Sequence, residues 1–85
     1  MPDQIARNEK QLGAILRRAR RKAGLTQSGM GRNIYRFRQG TVSRLEAGKP
    51  AIQLQTLFQT LAALDLELVV RARTKGDPAD IEKIF

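Results

Sequence analysis

Apolar residues recur at helical spacing soon after the start of the chain. Leu12, Ile15, Leu16, Ala19 and Ala23 fall on one helical face, and Arg17, Arg18, Arg21 and Lys22 fill the other. This predicts an amphipathic helix that begins between Ile5 and Lys10. Gly24 stops it, in the position just past the last turn where a left-handed backbone closes a helix. Thr26 then stands as the cap of a short helix from roughly Gln27 to Ile34, with Met30 and Ile34 one turn apart on its apolar side. Gly29 and Gly31 each weaken that helix by about 1 kcal/mol relative to Ala, so it depends on tertiary packing. Tyr35 to Arg38 reads as a connection with Phe37 turned inward. A third helix runs from Arg38 or Gln39 to Ala47, with Val42 and Leu45 facing the core, and ends at Gly48. Lys49 and Pro50 form a loop, and Leu54, Leu57, Phe58, Leu61 and Leu64 give a fourth helix its apolar stripe.

The period then changes from about 3.6 to two. Leu66, Leu68, Val70 and Ala72 alternate with Glu67, Val69, Arg71 and Arg73, which predicts a strand. Nothing else in the chain reads as a partner strand, and a lone strand leaves its backbone donors and acceptors unpaired. Pairing with the same strand of a second copy is the simplest solution, giving a homodimer joined by a two-stranded ribbon. Folding back on its own subunit, or a frayed edge, is the alternative. Lys75 to Pro78 reads as a turn, Asp77 as the cap of a last short helix with Pro78 at its first position. Ile81, Ile84 and Phe85 give that tail an apolar side.

Charge sharpens the picture. The 85 residues carry 16 Lys plus Arg against 8 Asp plus Glu, a net of +8. Residues 1–50 hold 12 basic and 3 acidic side chains, whereas residues 51–85 hold 4 and 5. The positive field therefore belongs to the first part of the chain, and it calls for a polyanionic partner such as nucleic acid or an anionic membrane. The chain has no Cys and no His, which removes disulfides, the common Cys/His metal sites and the triads built on those side chains. No catalytic residue, metal ligand or cofactor site is expected. No apolar run approaches the ~18 residues of a membrane span. The first residues, with Asp3, Gln4, Arg7, Asn8 and Glu9, lack a signal-like apolar stretch. The expected location is cytoplasmic, associated with the nucleoid. Few aromatics and no Trp argue against a stacking platform for single strands.

Two short helices joined by a tight connection suit duplex DNA for a geometric reason. The major groove is about 12 Å wide and admits one helix. The first helix of the pair braces on the backbone while the second presents its leading residues to base edges. The second helix here opens Arg38-Gln39-Gly40-Thr41-Val42-Ser43-Arg44. Arg pairs with guanine, Gln with adenine, and a Thr methyl touches a thymine methyl. Gly40 allows close approach of the backbone.

The run Leu25-Thr26-Gln27-Ser28 resembles the start of the DNA-binding helix pair in the Cro/cI-type (Xre) family. Gln39-Gly40-Thr41-Val42-Ser43-Arg44-Leu45-Glu46-Ala47-Gly48 resembles its recognition helix and the turn after it. The likeness covers roughly residues 12–64. It implies a mostly α, lambda-repressor-like helix-turn-helix domain of four to five helices. The domain would span 1–64, followed by a dimerisation strand over 65–74 and a tail over 75–85. Within that family the layout, with Leu66-Glu67-Leu68-Val69-Val70 straight after the fourth helix, resembles the HipB-like antitoxins. In those proteins the strand pairs between subunits, and the dimer binds a HipA-like kinase toxin while repressing its own operon. The implied function is therefore a sequence-specific repressor of double-stranded DNA with a palindromic operator. A stand-alone phage-type repressor, or a toxin-neutralising module that binds no DNA, are the other readings.

By position, the resemblance assigns DNA contacts to Gln27, Ser28, Arg38, Gln39, Gly40, Thr41, Ser43, Arg44 and Lys49. It assigns an ion pair to Arg20 and Glu46, tying the first helix to the end of the recognition helix. It implies a dimer interface at Leu66, Leu68, Val69, Val70, Arg71 and Ala72. Ile81, Ile84 and Phe85 are candidates for the toxin contact or, equally, a cap on the dimer core. The chain departs from the family pattern in the turn, where Tyr35 replaces the usual Gly and one extra residue separates Ile34 from Val42.

Overall fold

The structure is a computed structural model that describes residues 4–33 and 39–73. Four helices follow one another: α1 (Glu9–Lys22), α2 (Gln27–Asn33), α3 (Gln39–Glu46) and α4 (Leu54–Ala63). The expected turn around Tyr35 and Phe37, Arg38, and the tail with Ile81, Ile84 and Phe85 lie outside the described residues.

Local chemistry sets the helix ends. Asn8 caps α1: its Oδ1 accepts the Gln11 amide at 2.8 Å, while Gln11 Oε1 accepts the Arg7 amide at 2.6 Å. This is a near relative of the capping box, displaced by one residue on the return bond. Thr26 caps α2 through Oγ1, which accepts the Gly29 amide at 2.9 Å. Three helices close by the same pair of reverse bonds. Leu25 N–H reaches Arg20 O and Gly24 N–H reaches Arg21 O after α1; Lys49 reaches Arg44 and Gly48 reaches Leu45 after α3; Leu66 reaches Leu61 and Asp65 reaches Ala62 after α4. This double closure needs a left-handed residue in the middle. Gly24 and Gly48 supply it at φ 76, but after α4 the residue is Asp65 at φ 57.

Two small apolar clusters join the helices. Leu16, Leu45 and Leu61 are buried together, with Leu12, Ile52, Leu57, Leu64 and Leu66 against them. Met30 and Val42 form the second, closed by Leu64. Val42 and Leu45 thus root α3 in both. α1 lies close on the end of α3: a Cβ at Gly13 would lie 2.5 Å from Glu46 O and 2.7 Å from Leu45 O. Gly48 is equally confined, since its Cβ would lie 2.6 Å from Lys10 Cα.

The α4 stripe is wider than the core it meets. Leu61 is buried, but Leu54 and Phe58 are 70% and 50% exposed. Thr60 goes inside in place of Phe58, at 1% exposure, and its hydroxyl donates to Thr56 O at 2.8 Å, so it carries no unmet hydrogen bond into the core. Beyond α4 the chain runs without regular secondary structure to Arg73. Among the described residues there is no strand, because a single protomer offers this segment no neighbouring ladder. Leu66 packs on the first cluster, whereas Leu68, Val69 and Val70 are exposed, Val70 by 90%.

Candidate nucleic-acid interface

The two faces of α3 divide cleanly. Val42 is 2% and Leu45 6% exposed, so the opposite side, with Gly40, Ser43 and Arg44, faces solvent. Thr41 lies on the border, half-buried. An eight-residue helix whose only apolar side is consumed by the core has no other use for its outer face than solvent or a partner. Lys49, in the loop after α3, is exposed beside it.

Between α3 and the start of α4 lies an open cleft of about 450 Å³, lined by Thr41, Arg44, Lys49, Ala51, Ile52, Gln53 and Thr56. Two cations, Arg44 and Lys49, and three polar side chains, Thr41, Gln53 and Thr56, therefore share one concavity. α4 begins at its wall: Gln53 stands at the cap position without a side-chain cap bond, and the first turn contains no acidic residue. The positive end of a helix dipole is thus added to Arg44 and Lys49. Gln53 and Thr56 were not singled out from the sequence. They join the site only because α3 and α4 approach in space, and their polar spacing on α4 carries no signal of its own.

Behind this surface sits the Arg20–Glu46 pair. Arg20 Nε donates to Glu46 Oε2 at 2.6 Å, and Nη2 donates to Oε1 at 3.1 Å. The side chains are 8% and 5% exposed. Arg20 Nη1 also donates to Leu25 O at 2.7 Å, reaching the turn before α2. Gln27, first in α2, donates from Nε2 to Glu46 Oε1 at 3.3 Å. No buried side-chain polar atom among the described residues lacks a partner, which is the condition under which a buried ion pair is tolerated. Ser28 is exposed one residue further on.

The basic residues of α1 take two positions. Arg20 turns inward, while Arg17, Arg18, Arg21 and Lys22 remain on the outside, Arg18 held by Gln4 Oε1 at 2.9 Å. Among the described residues no group of His, Cys, Asp and Glu is arranged to hold a metal ion, and no helix is long and apolar enough to cross a membrane.

This combination of a braced helix pair, a polar outward helix and a cationic cleft defines a helix-turn-helix DNA-binding regulator. The family model described as helix-turn-helix matches residues 16–70, and the chain belongs to that family. Within it the chain is HipB-like, of the Cro/cI (Xre) type. A structure of a HipA–HipB–O2–O3 complex contains a chain 26% identical to this one, with TM-score 0.76, over 85% of this chain and all of that one. A HipB–O4 20mer complex gives 28% identity and TM-score 0.74 over 84% of this chain and all of its counterpart. A structure described as MDT protein matches at 28% identity and TM-score 0.74 over the same shares. A comparison with curated protein sequences gives no match.

Proposed function

We propose that two copies of this chain bind a palindromic stretch of double-stranded DNA and repress transcription from it, with α3 in the major groove. The observation that carries this reading is the division of α3 into a buried Val42–Leu45 side and an outward Gly40–Ser43–Arg44 side next to the cationic cleft. Gln39, Thr41 and Ser43 read base edges, and Arg38 takes a base edge or a phosphate. Gln27, Ser28, Arg44 and Lys49 take backbone phosphates, and the cleft adds Gln53 and Thr56 to that set. Gly40 lets the helix backbone come near the bases.

The segment from Leu66 to Ala72 joins the two copies by pairing with its counterpart. Leu68, Val69 and Val70, left exposed in one protomer, would be covered in this way. Two recognition helices then stand about 34 Å apart, one turn of DNA, and the half-sites repeat at about 10 base pairs. The HipA and HipB named together in one of the similar structures support a further step. In this reading the chain is the antitoxin of a HipA-like kinase, represses its own operon, and offers Ile81, Ile84 and Phe85 to that partner.

The test is a gel shift with the duplex upstream of the chain's own gene, repeated across salt concentrations. Retardation that weakens steeply and log-linearly with salt is expected, because phosphate contacts release counterions. No retardation at low salt ends the DNA-binding reading. Co-purification of a kinase with the chain tests the antitoxin step separately.

A further inference from the structure

The ion pair behind the interface has a third member, and that member sits at the interface itself. We propose that Glu46 is a positioning residue for DNA binding: it holds the side-chain amide of Gln27 so that one Nε2 hydrogen stays with the carboxylate and the other is presented to a backbone phosphate. This rests on the reading above, in which Gln27 contacts the DNA backbone.

The argument starts from the buried end. Arg20 is anchored by the Leu25 carbonyl at 2.7 Å and grips both oxygens of Glu46, at 2.6 and 3.1 Å. The carboxylate is therefore held at both oxygens. Its Oε1 also lies 3.3 Å from Gln27 Nε2. A carboxylate paired with a guanidinium accepts and does not donate. Gln27 must then turn its nitrogen, not its oxygen, toward Glu46, since oxygen against oxygen is repulsive. That settles the orientation of an amide whose two ends are otherwise nearly equivalent in shape. The nitrogen carries two hydrogens and the carboxylate takes one. The other is what an anionic phosphate oxygen accepts.

Three separate segments converge on this outcome: α1 through Arg20, the turn before α2 through Leu25, and the last residue of α3 through Glu46. A free glutamine must immobilise three side-chain torsions to make one contact. Holding it before DNA arrives removes part of that loss. The same pair that ties α1 to α3 thereby sets a contact made by α2.

A double-mutant cycle on the intact chain tests this. Binding to the upstream duplex is measured for the unmodified chain, Gln27→Ala, Glu46→Gln and the double variant, at one salt concentration and a temperature where all are folded. Loss of a charge-assisted hydrogen bond predicts about tenfold weaker binding for Gln27→Ala. Glu46→Gln should also weaken binding, and the double variant should bind no worse than Gln27→Ala alone. Losses that multiply overturn the positioning role, because a purely structural Glu46 acts whether or not Gln27 is present. If Glu46→Gln does not fold, the Gln27 side-chain amide of the unmodified chain is read by ¹⁵N NMR. Restricted picosecond-to-nanosecond motion of the Nε2–H₂ group in ¹⁵N relaxation supports the role; relaxation of a freely mobile side chain overturns it. No binding by the unmodified chain at low salt defeats the DNA reading and this proposal together, whereas binding with multiplying losses defeats the proposal alone.

Discussion

Substituting Ala at Gly13 and at Gly40 is the same chemical change at two helical positions, and the structure assigns the two opposite signs. Each gains helix propensity of about 1 kcal/mol over glycine. At Gly40 no atom of the described residues lies within 4 Å of the new Cβ, so the gain is kept and the fold is stabilised by about 1 kcal/mol. At Gly13 the Cβ would meet Glu46 O at 2.5 Å, Leu45 O at 2.7 Å and Glu46 C at 2.8 Å. These are backbone atoms at the end of α3, and no rotamer change moves them. Ordinary contact begins at 3.4 Å, so α1 and α3 must part by about 0.9 Å, against interiors packed as tightly as crystals. Overpacking of this kind costs roughly 1–3 kcal/mol. The separation also pulls on the Arg20–Glu46 pair, whose Nε–Oε2 distance is 2.6 Å. The net expectation for Gly13→Ala is a loss of about 1–2 kcal/mol. Urea unfolding followed by circular dichroism, at one protomer concentration, measures both. In heat, each kcal/mol should move the midpoint by about 4–8 °C for a chain of this size. A midpoint for Gly13→Ala equal to or above that of the unmodified chain would refute the close packing of α1 on α3.

Three further outcomes follow from the same structure. Asp65→Gly relieves the left-handed strain after α4, where φ is 57, and should stabilise the fold by about 0.5–1 kcal/mol in the same assay; no gain would mean that the Asp side chain compensates locally. Lys49→Ala should weaken DNA binding by a similar factor across operator variants and lower the salt slope by about one, as expected of a phosphate contact; a changed base preference would instead make Lys49 a reader. Val70→Pro removes a ladder donor and should yield monomers in sedimentation velocity; persistent dimers would assign assembly to another surface.

The helix layout was legible because its punctuation is local. Thr26, Gly24 and Gly48 act through bonds to residues within five positions, so their chemistry reads directly from the chain. Asn8 and Gln11 act in the same way, but their polar types are common in a charged stretch, and the start of α1 could only be bracketed. Asp65 gives no such signal, because a left-handed closure is expected of glycine and the strand pattern begins beside it. The placement of Thr60 inside and Phe58 outside inverts what polarity predicts. The bond to Thr56 O, seen in three dimensions, satisfies the Thr60 hydroxyl inside the core. For the site, the outward side of α3 follows from the spacing of Val42 and Leu45. The cleft with Gln53 and Thr56, and the link from Glu46 to Gln27, arise from elements far apart in sequence and left no periodic trace.

The crowding at Gly13 and Gly48 and the Arg20–Glu46 pair all fall at one end of α3. That helix is mounted like a beam clamped at its rear, with Val42 as the main tie of its leading turn to the body. Residues on its leading outer edge can therefore be exchanged over evolutionary time with little charge against the scaffold. A lineage built on this frame can drift from one target sequence to another while the rest of the molecule stays as it is.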